Sequence, residues 1–314
     1  MRSREYALLV LLAAMWGLSY VFYRVGAPAL GPALFVELRV LVAVAPLVAY
    51  TVGTGRWKAT WSRLRGQRRR YLVLGATNAA IPFGLIATAE LTLPASFASI
   101  LNSTAPLFSA LLGIPLLGQA VGGRQGVGIA FGIVGVIVLV GAAPFALTPL
   151  VVGSACASLV AALSYGYAAI YVRRRLPNED PLHLALGQQL SCALLVAPFA
   201  AVEVPSARFS PAAIESVLGI ALVSTALAYV IYFRILQSTG PTEALAVTFL
   251  IPIFGVFWGW ALLGEPLGLG LVVAVALILA GVALTTARRR PGARVGGPPS
   301  PGPAVLHDAP KGQA

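Results

Sequence analysis

The stretch Ala246–Pro266, AVTFLIPIFGVFWGWALLGEP, is apolar for nearly its whole length, carries a proline at Pro252 and stops on Gly264-Glu265-Pro266. A helix in the core of a soluble protein tolerates neither that length nor an interior proline. In a bilayer both become admissible, since about 20 mostly apolar residues cross the hydrocarbon layer. The rest of the chain supports that setting. Of its 314 residues 58% are hydrophobic and 10% are charged, with a mean hydropathy of +0.87. Soluble domains hold about 25% charged residues. The fold class read from this is an all-α integral membrane protein.

Ten apolar runs can be cut from the sequence, near 6–26, 32–52, 71–91, 95–117, 125–143, 149–172, 182–203, 213–233, 242–263 and 267–286. Several are joined by only a few residues, so neighbours form antiparallel hairpins. With the N-terminus inside and ten spans threaded, all but Arg24, Arg39 and Arg208 of the 22 lysines and arginines fall in inside segments. Nine or eleven spans scatter this pattern. The net charge of +12 is then a topology signal, with anionic lipid headgroups as its neighbours and no nucleic acid. It predicts an inner (plasma) membrane protein with cytoplasmic N- and C-termini. Arg2 and Arg4 before an apolar run also fit a signal peptide. Cleavage would delete a segment that recurs later, so an uncleaved first helix is expected. The tail 288–314, rich in Pro and Gly, is expected to be disordered and cytoplasmic.

The opening stretch has an earlier counterpart, Ser99–Ala120, SILNSTAPLFSALLGIPLLGQA. A shift of 146 residues sets Ala98 on Ala244, Pro106 on Pro252, Phe108 on Phe254 and Gly113 on Gly259. It also sets Leu116-Leu117-Gly118 on Leu262-Leu263-Gly264 and Gly135-Val136 on Gly281-Val282, without a gap. Leu18-Ser19-Tyr20 matches Leu163-Ser164-Tyr165 at a shift of 145. The chain is therefore read as two five-helix units, 1–145 and 146–287. Five is odd, so the second unit enters the membrane upside down. Inverted repeats of this kind are a hallmark of secondary transporters, because two near-equivalent halves can exchange conformations around a central site.

Proline lacks an N–H and clashes with the preceding turn. Pro106 is expected to break its helix and free the carbonyl of Asn102, and Pro252 to do the same for Thr248. Such acceptors are tolerated only against protein or water. Lining of a polar cavity and a plain packing kink both fit.

With the repeat in view, the sequence resembles the EamA-type transporters of the drug/metabolite transporter superfamily. The likeness rests on the duplicated five-helix unit, Trp16-Gly17 in the first run, Arg39 in the second, the mid-helix prolines of the fourth and ninth, and Gly264-Glu265-Pro266. It extends to about Thr286. It implies ten helices, a central cavity between the halves, and export of small metabolites such as amino acids or their relatives. One departure is visible. The first copy ends Gly118-Gln119 where the second has Gly264-Glu265, and Glu265 reads as a helix cap more than a ligand.

Ionisable residues within spans are costly and often functional. Glu37 and Arg39, two apart, cannot pair with each other on a helix. Glu37 is expected to meet Arg24 across the first hairpin. Arg39 is read either as binding a carboxylate or as locking the halves together, with snorkelling to the headgroups as the alternative. Glu90, Glu203, Glu215, Glu243, Glu179-Asp180 and His183 read as interfacial, and no carboxylate falls at a clear midplane. Proton coupling stays open.

Other polar and aromatic residues suit a neutral or zwitterionic ligand. Trp16 and Tyr20 share a face; Tyr165 repeats Tyr20; Asn78 and Gln188 interrupt apolar runs; Tyr229 and Tyr232 share a face. With Arg39, Asn102, Thr104 and Thr248 they form the candidate substrate-binding set. Gly122/Gly126 and Gly128/Gly132 have the Gly-x-x-x-Gly spacing; packing within the bundle and a homodimer face both fit. Cys156 and Cys192 lack partners at disulfide or metal-ligand spacing. No metal, cofactor or nucleotide is implied, since no phosphate-binding Gly-x-x-x-x-Gly-Lys-Ser/Thr segment occurs. The leading expectation is a non-enzymatic secondary transporter, with a non-transporting membrane receptor or assembly factor, and then an intramembrane enzyme, as alternatives.

Overall fold

A computed structural model describes residues 3–118, 120, 122–239 and 247–286. Arg2, Gln119, Glu243, Ala244 and the tail lie outside the described residues. The described chain is helical, with no strand. α1 is Ser3–Leu30 and α2 is Pro32–Gly53. α3, Trp57–Gly66, is short. α4, Arg68–Ala89, contains a π-helical segment at Ala76–Ala80. α5, Ala95–Leu117, is divided at Ser103–Thr104. α6 is Gly123–Gly141, α7 is Pro149–Arg175 and α8 is Pro181–Glu203. α9 runs through Pro211–Leu218, a π-helical Gly219–Leu227 and Ala228–Thr239. α10 is Val247–Leu263 and α11 is Leu269–Thr286.

Nine of these helices are long and apolar enough to cross a membrane. The 22 residues of α2 reach about 33 Å at 1.5 Å per residue, against a hydrocarbon layer of about 30 Å. α10, at 17 residues, is the tenth apolar helix and begins where the described residues resume. Leu194, Phe199, Val202 and Leu269 point outward and are largely exposed. A belt of such residues is inexpensive against lipid and costly against water. The protein is a multi-pass membrane protein.

Local chemistry sets the helix boundaries. Pro32, Pro149, Pro181 and Pro211 each open a helix, where a missing N–H costs nothing. Thr148 Oγ1 accepts the N–H of Val151 at 3.3 Å and Ser210 Oγ that of Ala213 at 3.2 Å, satisfying otherwise unpaired first-turn donors.

Pairwise packing reveals the symmetry. α6 packs on α11, α2 on α8, and α5 on α10. α1 packs on α9 and α10; its counterpart α7 packs on α4 and α5. Exchanging α1 with α7, α2 with α8, α4 with α9, α5 with α10 and α6 with α11 returns the same set of pairs. The π-helical segments fall in exchanged partners, α4 and α9. Gly118 and Gly264, aligned by the repeat, both have left-handed backbones, with φ of 62° and 67°, a conformation glycine adopts without steric cost. The ten helices form two inverted five-helix repeats.

Two expectations need correction. The two prolines behave differently. α5 divides at Ser103–Thr104 with Pro106 in the first turn of its second part, whereas Pro252 lies inside an unbroken α10. Loss of one backbone bond near the start of α10 does not stop that helix. Second, Arg24 does not pair with Glu37: its Nη1 donates to the main-chain oxygen of Glu90 at 2.5 Å. The basic segment after α2 holds the short α3, whose Trp57 and Trp61 rings stack at 5.6 Å. Ten residues between two turns, with mixed charge and aromatic character, gave no clear apolar periodicity.

Candidate functional site

Arg39, on α2, is 6% exposed, so snorkelling is excluded. Its guanidinium lies 3.8 Å over the ring of Phe83 of α4 and 5.3 Å from that of Tyr23 of α1. Nε donates to Thr225 Oγ1 of α9 at 3.2 Å, and Nη1 donates to the hydroxyl of Tyr23. Among the described residues no carboxylate pairs with Arg39, and its Nη2 has no hydrogen-bond partner. A buried guanidinium is thus held by π faces and hydroxyls, with donor capacity left over. Two of its holders, Tyr23 and Phe83, belong to the first repeat and Thr225 to the second. Tyr20, Tyr165 and Tyr229 are buried within electrostatic range of this charge.

A second polar line joins the repeats. Asn78 sits in the π-helical segment of α4, where a widened turn projects its side chain toward α8. Its Nδ2 donates to Gln188 Oε1 at 2.6 Å, and Gln188 Nε2 donates to the hydroxyl of Tyr229. Beside them, Ser164 Oγ of α7 donates to the carbonyl of Thr77 at 2.6 Å. That carbonyl belongs to the same π-helical segment, whose altered bonding leaves acceptors for a neighbour.

Trp16 and Tyr232 face each other with ring centres 5.8 Å apart. Tyr20 lies against the crossing of Ser99 and Gly255. Asn102 and Thr104 sit at the break in α5 and are buried; Asn102 Nδ2 donates to Ala98 O at 3.2 Å and Thr104 Oγ1 to Leu101 O at 2.5 Å. Asn102 Oδ1 accepts nothing within the described residues. Thr248 lies in the first turn of α10, half-buried. The structure thus joins Asn78, Gln188 and Tyr229 in one chain, pairs Trp16 with Tyr232, and places Tyr20 and Tyr165 within electrostatic range of Arg39. Asn102 and Thr104 mainly serve their own helix.

Sequence reasoning passed over Tyr23, Phe83 and Thr225, which hold Arg39. Tyr23 follows Tyr20 by three residues and was available by helical spacing. Phe83 and Thr225 carry no signal of their own. Glu90 and Glu203 were read as interfacial, yet Glu90 is wholly buried, and Glu203 Oε2 accepts the N–H of Leu34 at 2.8 Å. Trp258 Nε1 donates to Ala14 O at 3.0 Å, an interhelical tie. Gly128 faces α11 and Gly132 faces Leu107 of α5, both within the bundle.

The sequence profile of the EamA-like transporter family matches this chain twice, at residues 3–141 and 153–287. The chain belongs to the EamA-like transporter family. It is 23% identical to "Uncharacterized transporter YoaV" of Bacillus subtilis (87% of this chain, 93% of that protein). It is 27% identical to a "Probable amino-acid metabolite efflux pump" of Salmonella typhimurium (90% and 94%). It is 25% identical to "Uncharacterized inner membrane transporter YedA" of Escherichia coli K12 (91% and 93%). A solved crystal structure, 19% identical, superposes with a TM-score of 0.64 over 90% of this chain and 96% of that one, so the fold is shared. This EamA-like protein is a membrane transporter of the drug/metabolite type, and its partners are a small-molecule substrate and the bilayer.

Proposed function

We propose that this protein is a secondary exporter of small metabolites bearing a carboxylate on an apolar or aromatic body, amino acids or their relatives. The two repeats rock about the Arg39 seam and give alternating access. The observation that carries this reading is the buried Arg39 without a carboxylate partner. Its free Nη2 suits a carboxylate oxygen, and a charge-assisted bond of this kind contributes about 1.5–3 kcal/mol. Tyr20, Tyr165 and Trp16 supply ring faces for the rest of the substrate, and the Asn78–Gln188–Tyr229 line fixes its orientation. The name of the Salmonella relative points to the same substrate class. The YedA relative and the placement of basic residues support an inner membrane location with cytoplasmic termini and halves of 1–145 and 146–287. Proton coupling and a homodimer belong to the same reading.

The test is counterflow of a panel of amino acids, their decarboxylated amines and their amides in proteoliposomes. Acids should move and amines should not. Arg39→Gln should raise the KM for acids about tenfold or more, in keeping with the loss of a charged hydrogen bond. Absence of flux for every compound by folded, reconstituted protein sinks the reading; equal transport of acid and amine removes the role given to Arg39.

A further inference from the structure

α4 ends at Ala89, and Glu90 still closes the helix through its N–H to Ile86 O at 2.9 Å. Its side chain is 0% exposed. Both carboxyl oxygens are buried and have no hydrogen-bond partner among the described residues. Two charged groups act on this carboxyl: Glu265 beyond α10 and Arg24 of α1. Arg24 is the cation in reach, yet its Nη1 is engaged by the main-chain oxygen of Glu90 and forms no ion pair with the carboxylate.

Glu265 is committed elsewhere. Oε1 accepts the N–H of Ala95 at 2.7 Å and Oε2 that of Ser96 at 2.9 Å. Both are bonds of the kind a carboxylate accepts at a helix N-terminus. Glu90 therefore lies within the influence of the Glu265 carboxyl, closed off from bulk solvent and without a donor among the described residues. An isolated carboxylate in such a place is costly, and the group takes up a proton instead. Two acids sharing one site hold one proton between them.

We propose that Glu90 is a proton-binding site, loaded while Glu265 joins α10 to the start of α5 and unloaded when that joint opens. On loading, a carboxylate oxygen of Glu90 takes a proton from water. When α5 and α10 part, water reaches the group and the same proton returns to it. No electron moves. Tyr23 links this site to the transport seam, since it senses the charge of Glu90 and also accepts a hydrogen bond from Arg39. The exchange of protons for substrate rests on the exporter reading; proton binding itself does not.

Infrared spectra of the purified full-length protein in liposomes, recorded in H2O and D2O at neutral pH, test this without a substrate. The protonated-carboxyl C=O stretch should be present, shift in D2O, vanish in Glu90→Gln, and persist in Glu37→Gln and Glu265→Gln. Should Glu90→Gln fail to fold, Glu90→Asp keeps the acid and must move the band. A wild-type spectrum with no protonated carboxyl at neutral pH overturns the proposal, as does a band untouched by change at Glu90. A band that disappears with Glu90 in a protein that moves no metabolite supports the proton site and refutes the exporter instead.

Discussion

Glu265, from the loop after α10 in the second repeat, accepts the backbone N–H of Ala95 at 2.7 Å, in the first turn of α5 in the first repeat. The contact caps a helix and ties the repeats together. Glu203, the last residue of α8, does the same for α2 through the N–H of Leu34 at 2.8 Å. In each case a second-repeat glutamate closes the start of a first-repeat helix. The first repeat has Gln119 at the position matching Glu265, so the charged cap is not duplicated.

Removal of that cap should be felt in stability. Glu265→Ala leaves the N–H groups of Ala95 and Ser96 without acceptors, and loss of a helix cap costs about 0.5–2 kcal/mol. Glu265→Gln keeps one acceptor oxygen and should lose less. Thermal unfolding in detergent, followed by tryptophan fluorescence, should rank wild type above Gln and Gln above Ala. An unchanged melting temperature for Ala means the cap is not formed in the membrane.

The glycines of α6 and α11 make a second prediction. A Cβ built on Gly281 would lie 2.5 Å from Gly128 O and 2.8 Å from Gly132 N, and one on Gly128 2.7 Å from Gly281 O. These neighbours are backbone, so a methyl group must push the helices apart. Gly281→Ala should therefore destabilise the monomer by about 1–3 kcal/mol, the usual cost of overpacking. If the same change left stability intact and only dissociated a dimer in cross-linking, the glycine face would belong to a second copy.

The Asn78–Gln188–Tyr229 line predicts coupled losses. Tyr229→Phe removes the hydroxyl that accepts from Gln188 Nε2, and Gln188→Leu removes the amide. Polar contacts between membrane helices average about 0.6 kcal/mol by double-mutant cycle, with values to about 1.7. Unfolding of the two single variants and the double should give a coupling energy in that range. Perfect additivity would show that the two groups act independently, and both transport roles would then need separate explanations.

How much of this was legible beforehand depends on the kind of evidence a residue leaves in sequence. The span count, the repeat and its inversion followed from apolar run length and from the aligned Pro106–Pro252 and Leu-Leu-Gly segments, which local physics dictates. Arg39 stood out because a charge in a span is rare. Its holders did not, because Phe83 and Thr225 are ordinary membrane residues whose role comes from helix crossings between distant segments. Glu90 was misread for a related reason. Its position near a span end suggested an interface, but packing of α1 and the loop after α10 over that end buries it. The π-helical segments of α4 and α9 also left no apolar signature, since one extra residue in a turn does not disturb hydropathy.

The opposite face holds a charge cluster outside the spans, and its pH dependence follows from one group. Glu179, between α7 and α8, receives Arg63 Nη2 at 2.8 Å and Nε at 3.0 Å, Gln67 Nε2 at 3.3 Å, and contacts His183 Nδ1 at 2.9 Å. Asp180 beside it pairs with Arg56. Burial alone pushes the Glu179 carboxyl up; the hydrogen bonds from Arg63 and His183 outweigh it and hold the group below the usual carboxylate range. Folding therefore favours the ionised form. The stabilisation is fully present above the unfolded-state value, about 4.3 for glutamate, and is lost as pH falls through the lower folded value. Because Arg63 and Arg56 come from the first repeat and Glu179 and Asp180 from the second, acid should loosen this joint between the halves. Melting temperatures of wild type and Glu179→Gln should differ most near neutral pH and converge as pH drops through the carboxylate range. His183→Gln keeps a hydrogen-bonding side chain while removing the imidazole, and should retain most of that acid-dependent difference. Curves that stay parallel down to the lowest pH would mean that Glu179 carries no folding-linked proton.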